Sequence, residues 1–229
     1  MPKIKMFAAI PRKPGVSAQE FHDHWRHPHG TMGRRISILR KYVQGHQIDS
    51  DQFDAEQRRY EGIAEAWLDS IDDALLFPNE PVYATRVIPD EPFFIDLPNL
   101  KFIITQEDVV VSQPRGPNAA GTGNGDWFDD DRSVNIKWVQ LIEVEGAEPW
   151  HSDRDGDLGD RIGAFRHVRC FPVKEIHGSE PPFLGVRELW WPTVWAFREG
   201  IAADRAAFDQ LVRRPARAVN VLVHAERFK

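Results

Sequence analysis

The 229-residue chain has one cysteine, Cys170. An intramolecular disulfide is therefore excluded, and a zinc site or iron–sulfur cluster built on several thiolates has nothing to stand on. Excess positive charge is lacking as well. The formal net charge is -6 and the pI is near 5.8, so the basic face that nucleic-acid binding needs is missing. No apolar run approaches the roughly 20 residues that span a bilayer. The opening Met1–Ile10 is basic and then apolar, but Pro11-Arg12-Lys13-Pro14 cuts it off far short of a signal peptide, and it is expected to be a strand. These absences point to a cytoplasmic protein with neither a nucleic-acid nor a membrane partner. Nucleophilic catalysis has little support, because no serine sits in a nucleophile elbow and Cys170 lies in a strand without special context. What is present is an ordinary globular balance, 41% hydrophobic and 28% charged. The eight tryptophans are less ordinary. Such aromatic surface has to be covered by a core, an interface or a ligand.

The Gly/Pro-rich stretch Ser112-Gln113-Pro114-Arg115-Gly116-Pro117 and its continuation to Asp126 separates two apolar-rich halves and has the composition of a linker. The halves resemble each other. Gly33-Arg34-Arg35-Ile36 lines up with Gly159-Asp160-Arg161-Ile162, a displacement of 126 positions. Gly62-Ile63-Ala64-Glu65-Ala66-Trp67 lines up with Gly185-Val186-Arg187-Glu188-Leu189-Trp190 at 123. The first strands match too, Ile4-Lys5-Met6-Phe7 against Ile136-Lys137-Trp138-Val139. Three matches in one order indicate a tandem duplication, with a first unit over 1–111, a linker over 112–132 and a degenerate second unit over 133–229.

In the first unit the elements alternate. A strand to Ile10 is followed by a helix from Ser17 to about His27, started by a Ser17/Glu20 capping box and a Val16/Phe21 staple. Strands follow at Tyr42–Ile48 and Gly62–Leu68, then a helix at Ser70–Phe77 and a strand at Lys101–Val110. This is the split βαβ order of a ferredoxin-like unit. The second unit keeps the order, except that Glu148–Asp157 is turn-rich where the first has its capped helix. The expected fold class is α+β: two βαββαβ units in one chain, their antiparallel sheets packed face to face into an α/β barrel with a central cavity. Alternation turns Ile63, Glu65 and Trp67 inward, and Val186, Glu188 and Trp190 with them. Tyr42, Gln44 and His46 share a polar face that is assigned to the same cavity. The plainer expectation for Glu65 and Glu188 is that they pair with Arg40 and Arg187 and hold the barrel together.

Four histidines fall between His22 and His29. Residues two apart on a helix point to different faces, so His22/His24 and His27/His29 do not chelate together, and no metal is expected. His22, His24 and His27 are assigned to a solvated helix face. His29 belongs to a wider pattern. Arg12-Lys13-Pro14-Gly15-Val16-Ser17, Glu20-Phe21, Trp25-Arg26, His29-Gly30 and Leu39-Arg40-Lys41-Tyr42-Val43-Gln44-Gly45-His46 together resemble the EthD family of dimeric α/β-barrel proteins. The resemblance is close over residues 3–48, recognisable to Val111 and loose in the second half. There, counting in sequence places Asp155 opposite His29 and Pro172 opposite His46. Pro28, just before the motif histidine, departs from the family pattern.

The resemblance implies a small protein without an obvious cofactor, acting in the breakdown or tailoring of hydrophobic compounds. Fungal relatives look like decarboxylases or dehydratases of polyketide aromatics, and neighbouring families include lactone isomerases, cofactor-free monooxygenases and haem-handling enzymes. The fold alone does not choose among these. From the residues, the expected function is cofactor-independent acid–base chemistry, of a lyase or isomerase kind, on a small oxygenated aromatic. His29, His46, Tyr42 and Glu65 are the candidate catalytic groups, and Trp25, Trp67, Gln44, Glu188 and Trp190 the candidate substrate contacts. A ligand carrier without turnover is the alternative, and a monooxygenase or haem-handling enzyme, with a histidine aimed into the cavity, is a third reading. The expected assembly is a monomer with an internal pseudo-dimer, or a homodimer through outer surfaces.

Overall fold

The computed structural model describes residues 4–112, 134–144, 149–213, 215 and 217–229; all but the first residue of the expected linker lies outside them. Eight strands, β1 Ile4–Ile10, β2 Lys41–Gln47, β3 Gly62–Leu68, β4 Lys101–Ser112, β5 Val134–Ile142, β6 Arg166–Pro172, β7 Gly185–Trp191 and β8 Ala218–Arg227, pair antiparallel and close into a barrel. The order around it is β1-β3-β2-β8-β5-β7-β6-β4. The first four strands thus stand as β4-β1-β3-β2 and the last four as β8-β5-β7-β6, joined by the seams β2·β8 and β4·β6. The barrel closes within one chain. Its two halves are opposite walls of one hydrogen-bonded ring rather than two open-edged sheets laid on each other, and closure removes the unpaired edges such sheets would carry.

The helices are α1 Ala18–His24, α2 Thr31–Gly33, α3 Ile71–Leu76, α4 Asp155–Arg161, α5 Lys174–His177, α6 Val194–Ala203 and α7 Arg205–Arg213. The start of α1 is as its sequence predicts. Ser17 Oγ accepts from the Glu20 amide at 3.2 Å, the Glu20 carboxylate accepts from the Ser17 amide at 2.8 Å, and Val16 packs on the cluster holding Phe21. After His24 the chain widens through Trp25–Gly30, with His27 out of helical conformation (φ -146, ψ 119) ahead of Pro28. In the second half, residues 149–154 are turn-rich as expected, and a helix, α4, begins at Asp155, inside the end of that stretch. Arg154 supplies no side-chain cap. Instead the Asp155 carboxylate accepts from both the amide and the hydroxyl of Ser152 and fastens the preceding turn.

The inward assignments on β3 and β7 hold, but the central cavity does not. The barrel is filled. Phe7, Ile63, Ile103, Val139, Val168 and Val186 form an apolar layer. Beside it Lys5, Lys137, Glu65, Glu188 and Trp190 are fully buried and Trp67 nearly so. Both glutamates pair with lysines rather than arginines. Lys5 Nζ lies 2.5 Å from Glu188 and 2.8 Å from Glu65, and Lys137 Nζ lies 2.6 Å from Glu65 and 3.2 Å from Glu188. Each ammonium also sits over an indole, Lys5 over Trp67 at 4.2 Å and Lys137 over Trp190 at 4.1 Å. Arg40 pairs with Asp69 at the surface, and Arg187 pairs with Asp155 on the other side of the sheet.

Strand register puts the halves into correspondence. Lys5 lies opposite Trp67 and Phe7 opposite Glu65; Lys137 lies opposite Trp190 and Val139 opposite Glu188. Outside the barrel Gly62 is overlain by Trp25 and Gly185 by Trp150, and a Cβ on either glycine would meet its indole at 2.4 Å. Only glycine allows so close an approach. The same register corrects one counterpart. Val43 lies opposite Glu65 and Val168 opposite Glu188, so His46 corresponds to Phe171, not to Pro172.

Candidate functional site

On the outer face of the first-half strands the side chains are small: Met6 lies opposite Ala66, and Ala8 opposite Ala64. Over this floor run Trp25 and His29 from the segment after α1, Tyr42 from β2, and a wall made of residues 77–102. The wall consists of one-turn helices, among them Tyr83–Val87 and Glu91–Phe93. Between floor and wall lies a narrow apolar cavity of about 50 Å³. That is room for a few waters, and a dry cavity that holds benzene is about 150 Å³. A ring-sized ligand therefore requires the wall to move outward.

The polar groups of the cavity come from both sides. His29 Nδ1 is 2.9 Å from Asp90 Oδ2, and His24 Nε2 meets the same carboxylate at 3.0 and 3.1 Å. Burial works against ionised Asp90, but the hydrogen bonds with His29 and His24 outweigh it and hold the carboxyl below its usual range. With Nδ1 on Asp90, His29 keeps Nε2 for the cavity it lines. Glu91, the next residue, also lines the cavity and accepts from the Tyr83 hydroxyl at 3.2 Å. Burial pushes Glu91 up to about 7, with the Tyr83 hydrogen bond opposing and the Asp90 charge adding. Burial pushes Tyr42 up to about 12, so it is a phenol at neutral pH; its oxygen accepts from Gln44 Nε2 at 2.9 Å, leaving its own proton to donate.

The candidate residues divide between the two sides of the sheet. His29, Tyr42 and Trp25 line the outer cavity. Glu65, Trp67, Glu188 and Trp190 point into the filled barrel, away from it. Tyr42, Gln44 and His46 do share one face, but it is the face under α1 and not the barrel interior, because Tyr42 pairs with Ala66 and Gln44 with Ala64. Gln44 serves as a brace, donating to the Trp25 carbonyl at 2.8 Å and to Tyr42. His46 is packed against Trp25 and His22, its Nδ1 2.9 Å from His22 Nδ1, and does not line the cavity. Burial, followed by the charges of Arg26 and His22, drives it down to about 2, so it stays neutral.

The solvated helix face is corrected for two of its three members. His22 reaches Glu61 at 3.1 Å and His24 reaches Asp90; only His27 is exposed, beside Thr31. Asp90, Glu91 and Tyr83 escaped the sequence reading altogether. Their one signal is a pair of adjacent acids between Val87 and Phe93-Phe94 in an otherwise apolar stretch. Inside the barrel, ligand atoms of Glu107, Cys170 and Glu188 lie within 4.8 Å of one another. Lys5 already occupies that spot, against Glu188 and 3.6 Å from Glu107, and burial raises the Cys170 thiol well above its usual range, so the trio suits a cation poorly.

Residues 13–98 match the model of the EthD domain. Solved structures share the fold along the chain. An anthrone oxidase-like protein is 12% identical, covers 100% of this chain and 94% of its own, and has a TM-score of 0.56. A protein of Lactobacillus acidophilus NCFM, provisionally named a monooxygenase, is 7% identical with 100% and 95% coverage and a TM-score of 0.52. A third, provisionally named a chlorite dismutase, is 10% identical with 99% and 95% coverage and a TM-score of 0.52. At such identities the likeness is one of fold alone. No curated protein matches the chain. Among the described residues no helix is long and apolar enough to cross a membrane. The stretch matched to the EthD domain contains α1, His29, Tyr42, Asp90 and Glu91, so the first half of this chain is similar to that domain.

Proposed function

We propose that the protein is a cofactor-independent acid–base enzyme acting on a small, neutral, largely apolar ring compound in the cytoplasm. The observation that carries this is the His29–Asp90 pair at the edge of an apolar cavity. An aspartate on Nδ1 fixes the tautomer and leaves Nε2 to take or give a proton, while the Tyr42 hydroxyl stands by to donate to an oxygen that gains charge. Trp25 supplies the flat contact. A lyase or isomerase reaction fits this set because it needs proton transfer between fixed groups. A haem reading has weaker support, since a macrocycle is far larger than a cavity of about 50 Å³.

The chain is proposed to be a tandem duplication of one ferredoxin-like unit, bounded as 1–111 and 133–229, whose working site survives in the first copy alone. Support comes from the repeated strand order, the repeated Lys/Glu/Trp interior and the paired Gly62–Trp25 and Gly185–Trp150 contacts. With closure satisfied internally, the protein is proposed to work as a monomer or as a dimer through its outer surfaces.

The test uses 2-indanone, a compact neutral ketone, in deuterated water. Occupancy is read from shifts of the Trp25 and Tyr42 resonances, and turnover from deuterium entering its C1 position. His29→Ala is expected to slow exchange by about 10²–10⁴-fold, and His27→Ala, altered at an exposed residue, to leave it unchanged. Equal rates in two folded variants that still bind the ketone would leave the carrier reading in its place.

A further inference from the structure

We propose that Glu91 is the second proton-transfer group of this cavity, and that together with His29 it selects neutral ring compounds carrying an enolisable carbonyl. The inference rests on the proposed function and names its substrate class.

Glu91 is buried against the cavity, and the Tyr83 hydroxyl engages only its Oε1. Its second oxygen is left for whatever fills the space. The charged and titratable groups around it are Asp90 on its own turn, Tyr83 on the preceding turn, Tyr42 across the cavity on β2, and His29 from the segment after α1. None of the four is a lysine or arginine that would keep it ionised. Adjacent carboxyls are thereby pushed apart, Asp90 down by its two histidines and Glu91 up to about 7 by burial. Two neighbouring titratable groups held in opposite states are how a site acquires both an acid and a base at one pH.

The step is redox-neutral. The carbon next to the carbonyl loses its proton to His29 Nε2, and the C–H pair becomes the C=C bond. The carbonyl π pair moves to oxygen, which takes the proton of the Glu91 carboxyl. The product is the enol, and reversal with a solvent-derived deuteron on His29 returns labelled ketone. Above about pH 7 a ligand carboxylate would face the ionised Glu91 that lines the cavity, and is disfavoured there by charge.

In the exchange assay with 2-indanone, Glu91→Gln is expected to lose at least about 10²-fold in rate while still binding the ketone. Wild-type exchange should fall as pH rises through about 7, where Glu91 loses its proton. Tyr83→Phe removes the hydrogen bond that favours ionised Glu91, so the fall should move to higher pH. Above about pH 7, indane-2-carboxylate should bind at least tenfold more weakly than 2-indanone, with a smaller gap in Glu91→Gln. An unchanged rate and pH profile in folded, ketone-binding Glu91→Gln overturns the role of Glu91 and leaves that of His29 intact. Failure of the wild type to bind or exchange 2-indanone overturns both.

Discussion

The two outer faces of the barrel differ, while its inner face is symmetric. Position for position, Ala8 and Ala64 in the first half correspond to Gln140 and Arg187 in the second, and Met6 and Ala66 to Trp138 and Leu189. The first pair of alanines leaves the cavity. The second set fills it: Arg187 donates to Gln140 at 2.6 Å and to Asp155 at 2.7 Å, while Trp138, Leu189 and Trp191 pack beneath α6 and α7. Asp155, which stands where His29 stands, holds an arginine instead of facing a ligand. Inside, Lys5, Glu65 and Trp67 repeat as Lys137, Glu188 and Trp190. The interior answers to closure, which both halves need, and the exterior is under no such demand.

The largest effect should come from undoing the plug. Arg187 is fully buried and balances the buried Asp155. Arg187→Ala leaves that carboxylate uncompensated, a change that costs about 3–5 kcal/mol, read as a lower urea midpoint. The reciprocal swap, Ala64→Arg, should fill the first-half cavity and abolish 2-indanone binding. A stable Arg187→Ala protein, or an Ala64→Arg protein that still binds, would mean that the two faces differ for some other reason.

Much of this contrast was legible in the sequence. Glu65 and Glu188 point inward as alternation requires, because a slip of one residue would put two carboxylates under helices and would turn Ala64 and Ala66 from β3 and Arg187 and Leu189 from β7 into the barrel. The Ser17 cap and the Gly–Trp repeat were equally plain. Alternation shows that Tyr42, Gln44 and His46 share a face, but not which face, and their polarity suggested the interior when in fact His22 of α1 covers His46 and the Trp25 carbonyl takes the Gln44 amide that braces Tyr42. Asp90 and Glu91 lie in a wall of single turns where neither helical nor strand periodicity operates, so nothing local tied them to His29, some 60 residues earlier.

Acid titration should break the symmetry of the interior. Burial raises both glutamates, but Lys137 and Lys5 overcome it at Glu188, which is held below its usual range, whereas burial and the neighbouring Glu188 leave Glu65 above it. Glu188 then contributes stability that is present above the unfolded carboxyl value of about 4.3 and is lost as pH falls through its lower folded value. Glu65 has the opposite sign, its contribution present at low pH and lost as pH rises through its raised value. Urea midpoints against pH should therefore show a weaker acid loss in Glu188→Gln and a stronger one in Glu65→Gln. Parallel curves would show that the two sites titrate as equals.

Gly62→Ala and Gly185→Ala sharpen the comparison from outside. Each new methyl would collide with an indole held by the same geometry, so each should destabilise by about 1–3 kcal/mol. Only Gly62→Ala should weaken 2-indanone binding, since Trp25 lines the cavity and Trp150 lies over the plugged half.

The smallest expected effect concerns how the two first helices are held. Ser17 and Glu20 satisfy each other's backbone amides at the start of α1, and Ser17→Ala should cost about 1 kcal/mol. In α4 no side chain caps the helix, and its start hangs instead on Asp155 between Ser152 and Arg187. The local consequences should differ accordingly. α1 carries His24, which shares Asp90 with His29, and leads into Trp25, so fraying reaches the cavity without touching a residue that lines it. Hydrogen exchange over 18–24 should quicken in Ser17→Ala, the ketone should bind slightly more weakly, and exchange over 155–161 should stay as it was. Quickened exchange in both helices would show that they unfold as one unit, and that the plugged half is not the independent buttress its buried ion pair suggests.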